Sequence, residues 1–356
     1  MKYNFKFEGT KNLKQKPNDA DLQFGVEFTD HMFIMEYEEG KGWYDGRIVP
    51  YAPLQLDPAS SNLHYGQEMF EGLKSYKSVH GDVLLFRPDM NAKRTNNTNN
   101  RLCIPEIDED LFVAAIKALV DVDSDWIPGK QGTSLYIRPF IIATEPYLGV
   151  RASKTYKFII ILSPVGSYYK DGLKPTKLWV EDFYVRATKG GTGEAKCAGN
   201  YAAALKAQEI AHEKGYEQVL WLDSIERKYI EEVGTSNAFF VIGDEVITAP
   251  LDGTILPGIT RDSVITYLRD NDVIVKEKKL SMDELVNAYE SGELKEMFAT
   301  GTAAIISPVG ELNYKDRVMI INNNKIGGIA KDLYDTIYGI QTGQLDDVYN
   351  WTVKVK

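Results

Sequence analysis

A single lysine follows a glycine-rich approach in the segment Gly190–Tyr201, whose sequence is GGTGEAKCAGNY. Three glycines fall within four residues ahead of Lys196, and glycine lets the backbone adopt positive φ and approach a ligand or another segment closely. A surface loop that caps a helix would show the same glycines. The chemical alternatives for this lysine are a phosphate-binding residue and an amine that forms a Schiff base.

The phosphate-binding alternative can be tested on the neighbouring residues. A P-loop requires a glycine directly before the lysine and a serine or threonine directly after it. Here the neighbours are Ala195 and Cys197, so no hydroxyl is placed to bind magnesium. A Schiff-base lysine needs only a partly desolvated amine within reach of a carbonyl group. The local sequence therefore disfavours the phosphate loop and leaves the Schiff-base lysine and the capping loop open.

Two segments of the second half have properties that would complement a Schiff-base lysine. Leu256–Ser263 places a proline-glycine turn ahead of a helix, so free backbone N–H groups at Ile259 and Thr260 would form an anion site. Glu231–Asn237 brings two acidic residues into an apolar strand, where a buried carboxylate requires a positive partner such as a protonated ring nitrogen. An ordinary helix start and a surface hairpin are the alternatives for these two segments.

Length and composition limit the class of protein. A chain of 356 residues exceeds one ordinary core and indicates two domains. Apolar residues make up 44% of the chain, as in globular proteins, yet no window approaches the ~18 consecutive apolar residues of a membrane span. The N-terminal stretch lacks the apolar segment of a signal peptide and the arginines of a transit peptide. We therefore expect a cytoplasmic protein without a membrane partner.

Charge, cysteines and histidines exclude further classes. The net charge of −10 argues against nucleic acid as a main partner. Cys103 and Cys197 match neither a disulfide framework nor a paired redox motif, and they suit a reducing compartment. The four histidines show no metal-ligand spacing, so no metal site is expected.

Hydrophobic periodicity predicts an α/β protein with two domains. Turn formers and charges at Gly166–Pro175 mark the boundary, and we place the domains at 1–168 and 181–356 with a linker at 169–180. Five asparagines in Asn91–Asn100 predict a loop on propensity alone. The predicted helices are Asp108–Val122, Tyr201–Lys214, Ile259–Asp270, Met282–Ser291 and Ala330–Tyr338, and the clearest predicted strands are Leu73–Lys77, Val83–Phe86, Ser134–Ile142 and Lys157–Leu162.

A series of segments along almost the whole chain resembles the branched-chain amino acid aminotransferases, in that family's order. Together the segments are specific, whereas any one alone is weak. They are Phe28–Met32, Asp57–Tyr76, Leu85–Pro88, Arg101–Pro105, Gly132–Pro139, Glu145–Val150, the stretches KCAGNYAAAL, EVGTSN and ILPGITRDS, and Gly301–Gly310. The resemblance implies the D-amino-acid-aminotransferase-like fold (fold type IV), an α/β (α+β) fold. Its N-terminal α/β domain is the smaller, and its larger C-terminal domain is a β-barrel-like structure with flanking helices.

The resemblance also implies the cofactor pyridoxal 5'-phosphate and the residues around it. Lys196 matches the Schiff-base lysine, whose freed amine shuttles a proton between the substrate and the cofactor. Glu232 matches the acid that pairs with the pyridinium nitrogen, and Tyr201 matches the tyrosine that hydrogen-bonds the phenolic oxygen. Arg94 matches the arginine that holds the phosphate, which implies a helix where propensity predicts a loop. The other implied cofactor contacts are Thr235, Ile259, Thr260 and Thr302.

The substrate side follows from the same resemblance. The family's aromatic pocket for a branched side chain corresponds to Phe24, Tyr65, Phe70 and Tyr136. Arg138 matches an arginine near the site. The turn whose N–H groups hold the substrate carboxylate corresponds to Thr302, Ala303 and Ala304. The residues that a second subunit contributes across the interface of a homodimer correspond to Leu148 and Val150.

The expected activity is transfer of the amino group between L-leucine, L-isoleucine or L-valine and 2-oxoglutarate by a ping-pong mechanism. The expected partners are therefore branched-chain L-amino acids, glutamate and 2-oxoglutarate. Another fold type IV enzyme, either a D-amino-acid aminotransferase or an aminodeoxychorismate lyase, is the alternative within the class. The alternative from another class is a nucleotide-binding protein that uses GGTGEAK as a phosphate loop, and Ala195 and Cys197 argue against it.

Overall fold

The computed structural model describes residues 3–168 and 172–356, which fold into two units. The first unit contains residues 3–168, Lys196–Ala198 and Gly339–Lys356, and the second contains residues 172–195 and Gly199–Tyr338. Residues 169–171 of the predicted linker lie outside the described residues. The segment with Lys196 therefore folds with residues that are far from it in the chain.

Segments rich in apolar, β-branched and aromatic side chains form the strands of the first unit. The strands are β1 (Lys6–Phe7), β2 (His31–Glu38), β3 (Gly42–Pro50), β4 (Glu68–Phe70), β5 (Leu73–Lys77), β6 (Val83–Phe86), β7 (Ser134–Ala143) and β8 (Thr155–Val165). The helices are α1 (Ser61–Tyr65), α2 (Pro88–Leu102) and α3 (Glu109–Val122). The sheet order is β1-β3-β2-β8-β7-β5-β6, and β4 pairs with β7. The predicted hairpin of β5 and β6 is confirmed.

Helix α3 packs its apolar face on this sheet, as its periodicity predicts. The side chain of Asp108 caps the first turn by accepting a backbone hydrogen bond. Phe112 and Ile116 are fully buried, and the Phe112 ring stacks on Phe158 with 5.5 Å between ring centroids. Each such side chain contributes about 1.5–3 kcal/mol by its burial. The helix thereby holds in place the sheet that bears the aromatic residues of the site.

Helix α2 shows that the loop predicted from propensity at Asn91–Asn100 is wrong, whereas the helix implied by the resemblance is confirmed. Its asparagines have partners outside the helix. Asn91 Nδ2 donates to Glu71 Oε2 at 2.7 Å, and the Asn96 side chain exchanges two hydrogen bonds with the backbone of Ile107. These tertiary contacts override the low helix propensity of asparagine.

The second unit is built around a closed barrel. Its elements are β9 (Thr176–Glu181), α4 (Ala198–Ala202), α5 (Leu205–Glu213), β10 (Gln218–Leu222), β11 (Ile230–Val233), β12 (Ser236–Ile242), β13 (Glu245–Thr248), α6 (Ile259–Asp270), β14 (Ile274–Glu277), α7 (Met282–Glu290), β15 (Leu294–Gly301), β16 (Ile305–Tyr314), β17 (Arg317–Ile320) and α8 (Gly328–Gln341). Strands β11, β10, β9, β16, β15 and β12 pair in that order, and β12 pairs again with β11. This closure confirms the predicted fold class. The last strand, β18 (Thr352–Lys354), pairs with β6 of the first unit.

The helices predicted at Ile259–Asp270, Met282–Ser291 and Ala330–Tyr338 are confirmed as α6, α7 and α8. The single helix predicted over Tyr201–Lys214 is wrong, because the chain forms α4 and α5 with a turn between them. Asn200 ties α4 to the glycine-rich loop by side-chain hydrogen bonds, whereas α5 buries Ala207 against the barrel. Helices fixed to different surfaces need not share an axis.

Within residues 3–168 and 172–356, no helix combines the length and apolar character of a bilayer crossing.

Trp221 on β10 provides a test of the barrel. Its ring is fully buried, and Nε1 donates to the Gly234 carbonyl at 2.9 Å, in the turn after β11. We expect Trp221→Phe to destabilise the second unit by about 1–3 kcal/mol, because a buried carbonyl loses its donor. Urea unfolding followed by circular dichroism measures the loss. Trp179→Phe, in a partly buried member of the same cluster, is the control and should lose less. Equal losses would contradict this role of the hydrogen bond.

Candidate active site

The backbone of Lys196 is fixed within the first unit. Its N–H donates to Thr98 Oγ1 at 3.0 Å, and its carbonyl accepts from the Phe70 N–H at 3.1 Å. Next to it, Met69 and Cys197 form an isolated antiparallel bridge. The lysine segment thus pairs with β4 at one position, and it contacts α2 through Thr98. These bonds determine where the lysine side chain begins.

The Lys196 amine lies among aromatic and charged side chains. Its Nζ is 4.7 Å from the centroid of the Phe70 ring. Burial and the charge of Arg94 lower the pKa of Lys196 to about 8. The charge of Arg138 acts in the same direction, and the Glu71 carboxylate opposes it. Near neutral pH such an amine loses its proton far more readily than an exposed lysine, as attack on a carbonyl requires.

A buried ion pair fixes Arg94 on α2. Arg94 Nε lies 2.8 Å from Glu71 Oε1, and Arg94 Nη2 lies 2.8 Å from Oε2. Glu71 is fully buried and also accepts hydrogen bonds from Asn91 Nδ2 at 2.7 Å and the Gly72 N–H at 3.1 Å. Burial acts to raise the pKa of Glu71, but the charges of Arg94 and Lys196 help to hold it below its ordinary value. Glu71 is therefore an anion.

Strand β7 brings together several of the predicted substrate residues. The rings of Phe24 and Tyr136 meet edge to face with 4.9 Å between centroids. Arg138 Nη2 donates to the Tyr136 hydroxyl at 3.0 Å, and the guanidinium lies 4.8 Å from the centroid of the Phe70 ring. Arg138 Nε is buried without a hydrogen-bond partner among the described residues. This group offers apolar walls together with an unsatisfied cationic donor.

Phe24 is 54% exposed, and the other predicted residues of the first unit also lie at its surface. The Tyr65 hydroxyl donates to the Leu148 carbonyl, and these two side chains are 48% and 59% exposed. Val150, in the same loop, is 82% exposed. Tyr65 is thus the predicted pocket residue that the structure places with the exposed loop. Such a cluster of exposed apolar side chains is typical of a surface that another chain covers.

In the second unit, Glu232 on β11 has a carboxylate that is held on several sides. The residue is buried, and Oε2 lies 2.8 Å from Arg186 Nε. Oε1 accepts from the Leu256 N–H at 2.9 Å and from Asn237 Nδ2 at 3.2 Å. A buried carboxylate needs such compensation, and these donors also fix its position. Asn237 is the cross-strand partner of Glu232 in the barrel.

Arg186 joins this carboxylate to the glycine-rich loop. Its Nη1 donates to the Thr254 carbonyl at 2.9 Å, and its Nη2 donates to the Gly193 carbonyl at 3.2 Å. A Cβ atom on Gly193 would collide with the Thr254 carbonyl oxygen, so only glycine allows this approach. In the same loop Gly190 has a φ of 80°, which glycine adopts without strain. These glycines serve close packing and backbone conformation.

Glu231 differs from its neighbour in the strand. It lines a cavity of about 60 Å³ together with Asp252 and Lys279, and its Oε2 has no hydrogen-bond partner among the described residues. Burial raises the pKa of Glu231 to about 7, and the charge of Glu232 adds to the shift.

In residues 3–168 and 172–356, no group of three or more histidines, cysteines or acids could hold a metal ion.

Helix α6 presents backbone donors at its start. Ile259 and Thr260 are its first residues, and the residue before them, Gly258, provides no side-chain cap. Backbone N–H groups in a first turn bind anions well. A Cβ atom on Gly258 would collide with Asn237 Oδ1, so glycine here leaves Asn237 free to reach Glu232. The helix start and the carboxylate site are thus linked through one asparagine.

A strained turn connects β15 and β16. Thr302, Ala303 and Ala304 form the turn, as predicted, and all three are partly buried. Ile305 directly after it has a φ of 66°, a left-handed conformation that costs about 1–3 kcal/mol for a side chain of this kind. Strain of this size is typical of functional sites, where the surrounding structure maintains it.

The two remaining predicted cofactor contacts also lie in the second unit. Tyr201 is partly buried in α4, close in sequence to Lys196. Thr235 is exposed in the turn between β11 and β12, directly after Gly234. Both lie at the ends of short elements, where a side chain can reach a bound molecule.

Sequence reasoning missed several residues of this arrangement. They are Glu71, Thr98, Arg186 and Asn237. Glu71 had a signal, because it is an acid within the apolar stretch MFEGL, and the argument applied to Glu232 holds for it equally. Arg186 had none, since two of its partners, Glu232 and Thr254, are 46 and 68 positions away in the sequence.

The chain has similarity to characterised families over nearly its full length. The profile of amino-transferase class IV matches residues 68–312. The branched-chain-amino-acid aminotransferase 2 of Bacillus subtilis (strain 168) is 58% identical over 354 residues, which cover 99% of this chain and 98% of that protein.

Solved structures agree with this similarity. The branched-chain amino acid aminotransferase of Escherichia coli superposes with a TM-score of 0.77 at 25% identity, covering 92% of this chain and 99% of that one. The branched-chain amino acid aminotransferase of Thermobaculum terrenum in its PLP-form has a TM-score of 0.75 at 22% identity, covering 91% and 98% of the two chains. At that identity the second likeness is one of fold alone.

The buried Glu231 carboxyl makes stability depend on pH. Folding raises its pKa from the ordinary 4.5 to about 7, so in that window the folded chain keeps a proton that the unfolded chain has released. Stability is therefore lost as the pH rises through the window. We expect Glu231→Gln to unfold at a higher temperature than the parent above pH 7, with little difference near pH 4.5. Glu226→Gln, at an exposed acid, should match the parent at both values. A pH-independent difference for Glu231→Gln would refute this account.

Proposed function

The chain belongs to the class IV aminotransferase family, and from this we propose that it is a branched-chain-amino-acid aminotransferase. The reaction is pyridoxal 5'-phosphate-dependent transfer of an amino group between L-leucine, L-isoleucine or L-valine and 2-oxoglutarate. The observation that carries the proposal is the 58% identity, over nearly both full lengths, to a relative of that name.

The chemistry of the side chains fits the proposed cofactor. In the first unit, the Lys196 amine with its lowered pKa suits an aldehyde, and the Arg94 guanidinium suits a phosphate. In the second unit, the first turn of α6 offers N–H groups for an anion, and the buried Glu232 carboxylate suits a protonated ring nitrogen. When bound, pyridoxal 5'-phosphate supplies an aldehyde carbon and an electron-withdrawing ring that stabilises the charge left when the substrate Cα–H bond breaks.

The residues divide the work between proton transfer and electrostatics. The Lys196 amine accepts the proton from the substrate Cα and then donates it again to complete the amino-group transfer. Its pKa of about 8 makes both protonation states accessible near neutral pH. Glu232, fixed by Arg186, maintains a negative charge that favours a proton on the ring nitrogen. Tyr201 would donate a hydrogen bond to the phenolic oxygen of the cofactor, and Thr235 and Thr302 would add further hydrogen bonds.

The cluster formed by Phe24, Phe70, Tyr136 and Arg138 has properties that suit two kinds of substrate. Phe24, Phe70 and Tyr136 provide apolar walls, and each buried methylene of a branched side chain contributes about 0.8 kcal/mol. The buried Nε of Arg138, which has no hydrogen-bond partner among the described residues, is a donor for the second carboxylate of glutamate. The turn 302–304 holds the carboxylate that both substrates share, through backbone N–H groups.

We also propose that the protein acts as a homodimer in the cytoplasm. The exposed Tyr65, Leu148 and Val150 support the dimer, because a second subunit would cover them and complete the pocket. Cys103 and Cys197 are both free thiols, which fits a reducing compartment.

The first test of the proposed function is the attachment site. Purified protein should be yellow, and borohydride should fix a pyridoxyl group on the peptide with Lys196. Lys196→Ala should lower turnover by several orders of magnitude, because no other group supplies both the attachment and the proton transfer. Lys189→Ala, at an exposed lysine of the same loop, is the control. A label on another lysine would disprove the assignment.

The second test separates the two substrates in half-reactions. Arg138→Leu should lower kcat/KM for glutamate by about 10- to 100-fold relative to leucine, because only glutamate loses a charge-assisted hydrogen bond. The ratio cancels any effect of Arg138 on Lys196, which both substrates share. Phe24→Ala is the matched variant and should affect leucine more. Equal losses for both substrates in Arg138→Leu would reject the carboxylate role.

The same assays test the alternatives within the family. Faster conversion of D-alanine than of L-leucine would replace the proposed function with a D-amino-acid aminotransferase. Release of pyruvate without consumption of a 2-oxo acid would identify a lyase.

A further inference from the structure

Glu71 occupies a position where an acid is costly. It is fully buried between β4 and β5, and an ionised carboxylate there is stable only with compensating charge and hydrogen bonds. We propose that Glu71 is a positioning residue for the reaction, whose carboxylate orients the Arg94 guanidinium and serves as the counter-charge of the nitrogen at Lys196. This inference rests on the proposed function, since it concerns the cofactor at Lys196.

The geometry around Arg94 supports this role. Glu71 binds the edge of the guanidinium formed by Nε and Nη2, with both distances at 2.8 Å. A planar guanidinium held along one edge has a fixed orientation, and its Nη1 corner is turned away from Glu71. Asn91 and the Gly72 N–H bind Glu71 Oε2 in addition. The carboxylate is therefore anchored independently of Arg94, so Glu71 determines the orientation of the arginine.

The balance of charge at Lys196 supports the role of Glu71 as a counter-charge. Two guanidinium groups, Arg94 and Arg138, act on its amine and favour the neutral form. Glu71 opposes them, and the Tyr136 hydroxyl acts in the same direction as Glu71. Glu71 is thus the carboxylate that offsets the two cations near this nitrogen. The carboxylate thus keeps a protonated nitrogen tolerable in a buried site.

Glu71 and Lys196 are also fixed to each other through one short segment, residues 70–72. Phe70, directly before Glu71, donates its N–H to the Lys196 carbonyl, and its ring lies beside the lysine Nζ. The Glu71 N–H itself donates to the Pro139 carbonyl at 2.7 Å. Within residues 70–72, Phe70 therefore binds the backbone of the lysine, and Glu71 supplies a negative charge that acts on its amine.

The experiment compares the holoenzyme with Glu71→Gln, which preserves shape and removes the charge. Two quantities are measured, namely the dissociation constant of pyridoxal 5'-phosphate and the pH midpoint at which the absorption of the bound cofactor changes. We expect the dissociation constant to rise about 10-fold or more, since Arg94 loses its orientation. The midpoint should fall by about one pH unit or more, since a nearby opposite charge is gone. Glu68→Gln, at a half-buried acid of β4, should leave both near the parent values.

A charge-compensated variant makes the result independent of whether Glu71→Gln folds. Arg94→Gln combined with Glu71→Gln leaves neither buried charge without its partner. If Glu71 acts as proposed, the two changes offset each other and the midpoint of this double variant stays near that of the parent. If Glu71 has no effect on the nitrogen, the loss of Arg94 remains uncompensated, and the midpoint rises well above the parent value.

The outcomes separate this inference from the proposed function. A parent protein that does not bind the cofactor at Lys196 would refute the proposed function itself. A parent that binds it, with a Glu71→Gln variant of equal midpoint and equal affinity, would overturn only the role of Glu71. A purely structural role would change stability without moving the midpoint.

Discussion

The burial of the Lys196 amine is the constraint on which the arrangement of the surrounding charges depends. A buried cation is expensive, and its cost falls only if neighbouring charges and hydrogen bonds replace the lost solvent. Around Lys196 part of this replacement comes from the ionised Glu71, which is itself paired with Arg94. The same principle operates at Glu232, where Arg186 and backbone donors compensate a second buried charge. Each charge is stable because a partner from a distant segment was folded against it.

These partners explain the composition of α2. An amphipathic helix of a globular protein normally buries an apolar stripe, but α2 buries Asn91, Arg94, Thr95 and Thr98. Thr98 accepts from the Lys196 N–H, while Asn91 and Arg94 bind Glu71. The buried face is polar because it holds a carboxylate and a lysine backbone. Polar residues with low helix propensity therefore occupy the buried face of α2, and in return they fix the position of Lys196 and its neighbours.

Much of the framework follows from the sequence, because its determinants are local. Helices α3 and α6 and the hairpin of β5 and β6 come from periodicity and turn residues that lie next to each other in the chain. The errors have a common cause. The asparagine-rich helix and the division of 201–214 into α4 and α5 depend on tertiary contacts, which no local window contains.

The site divides in the same way. Lys196, Glu232 and the start of α6 could be selected from residue type and neighbouring glycines, and the resemblance then gave them roles. The counter-ions could not be paired from the sequence, because Glu71 is 125 positions from Lys196 by number, and Arg186 is 46 from Glu232. Such pairs are determined by how the chain folds back on itself.

Closure of the barrel limits how this protein can diverge. In an open sheet an edge strand can slip in register without moving the others, whereas in a closed barrel a slip must pass through every pairing around the ring. The pairing of Glu232 with Asn237 is part of that ring. Insertions are therefore tolerated in the connecting loops and not in the strands. Descendants of this chain that acquire new substrate preferences should carry their changes in segments such as 302–304, around an unaltered ring.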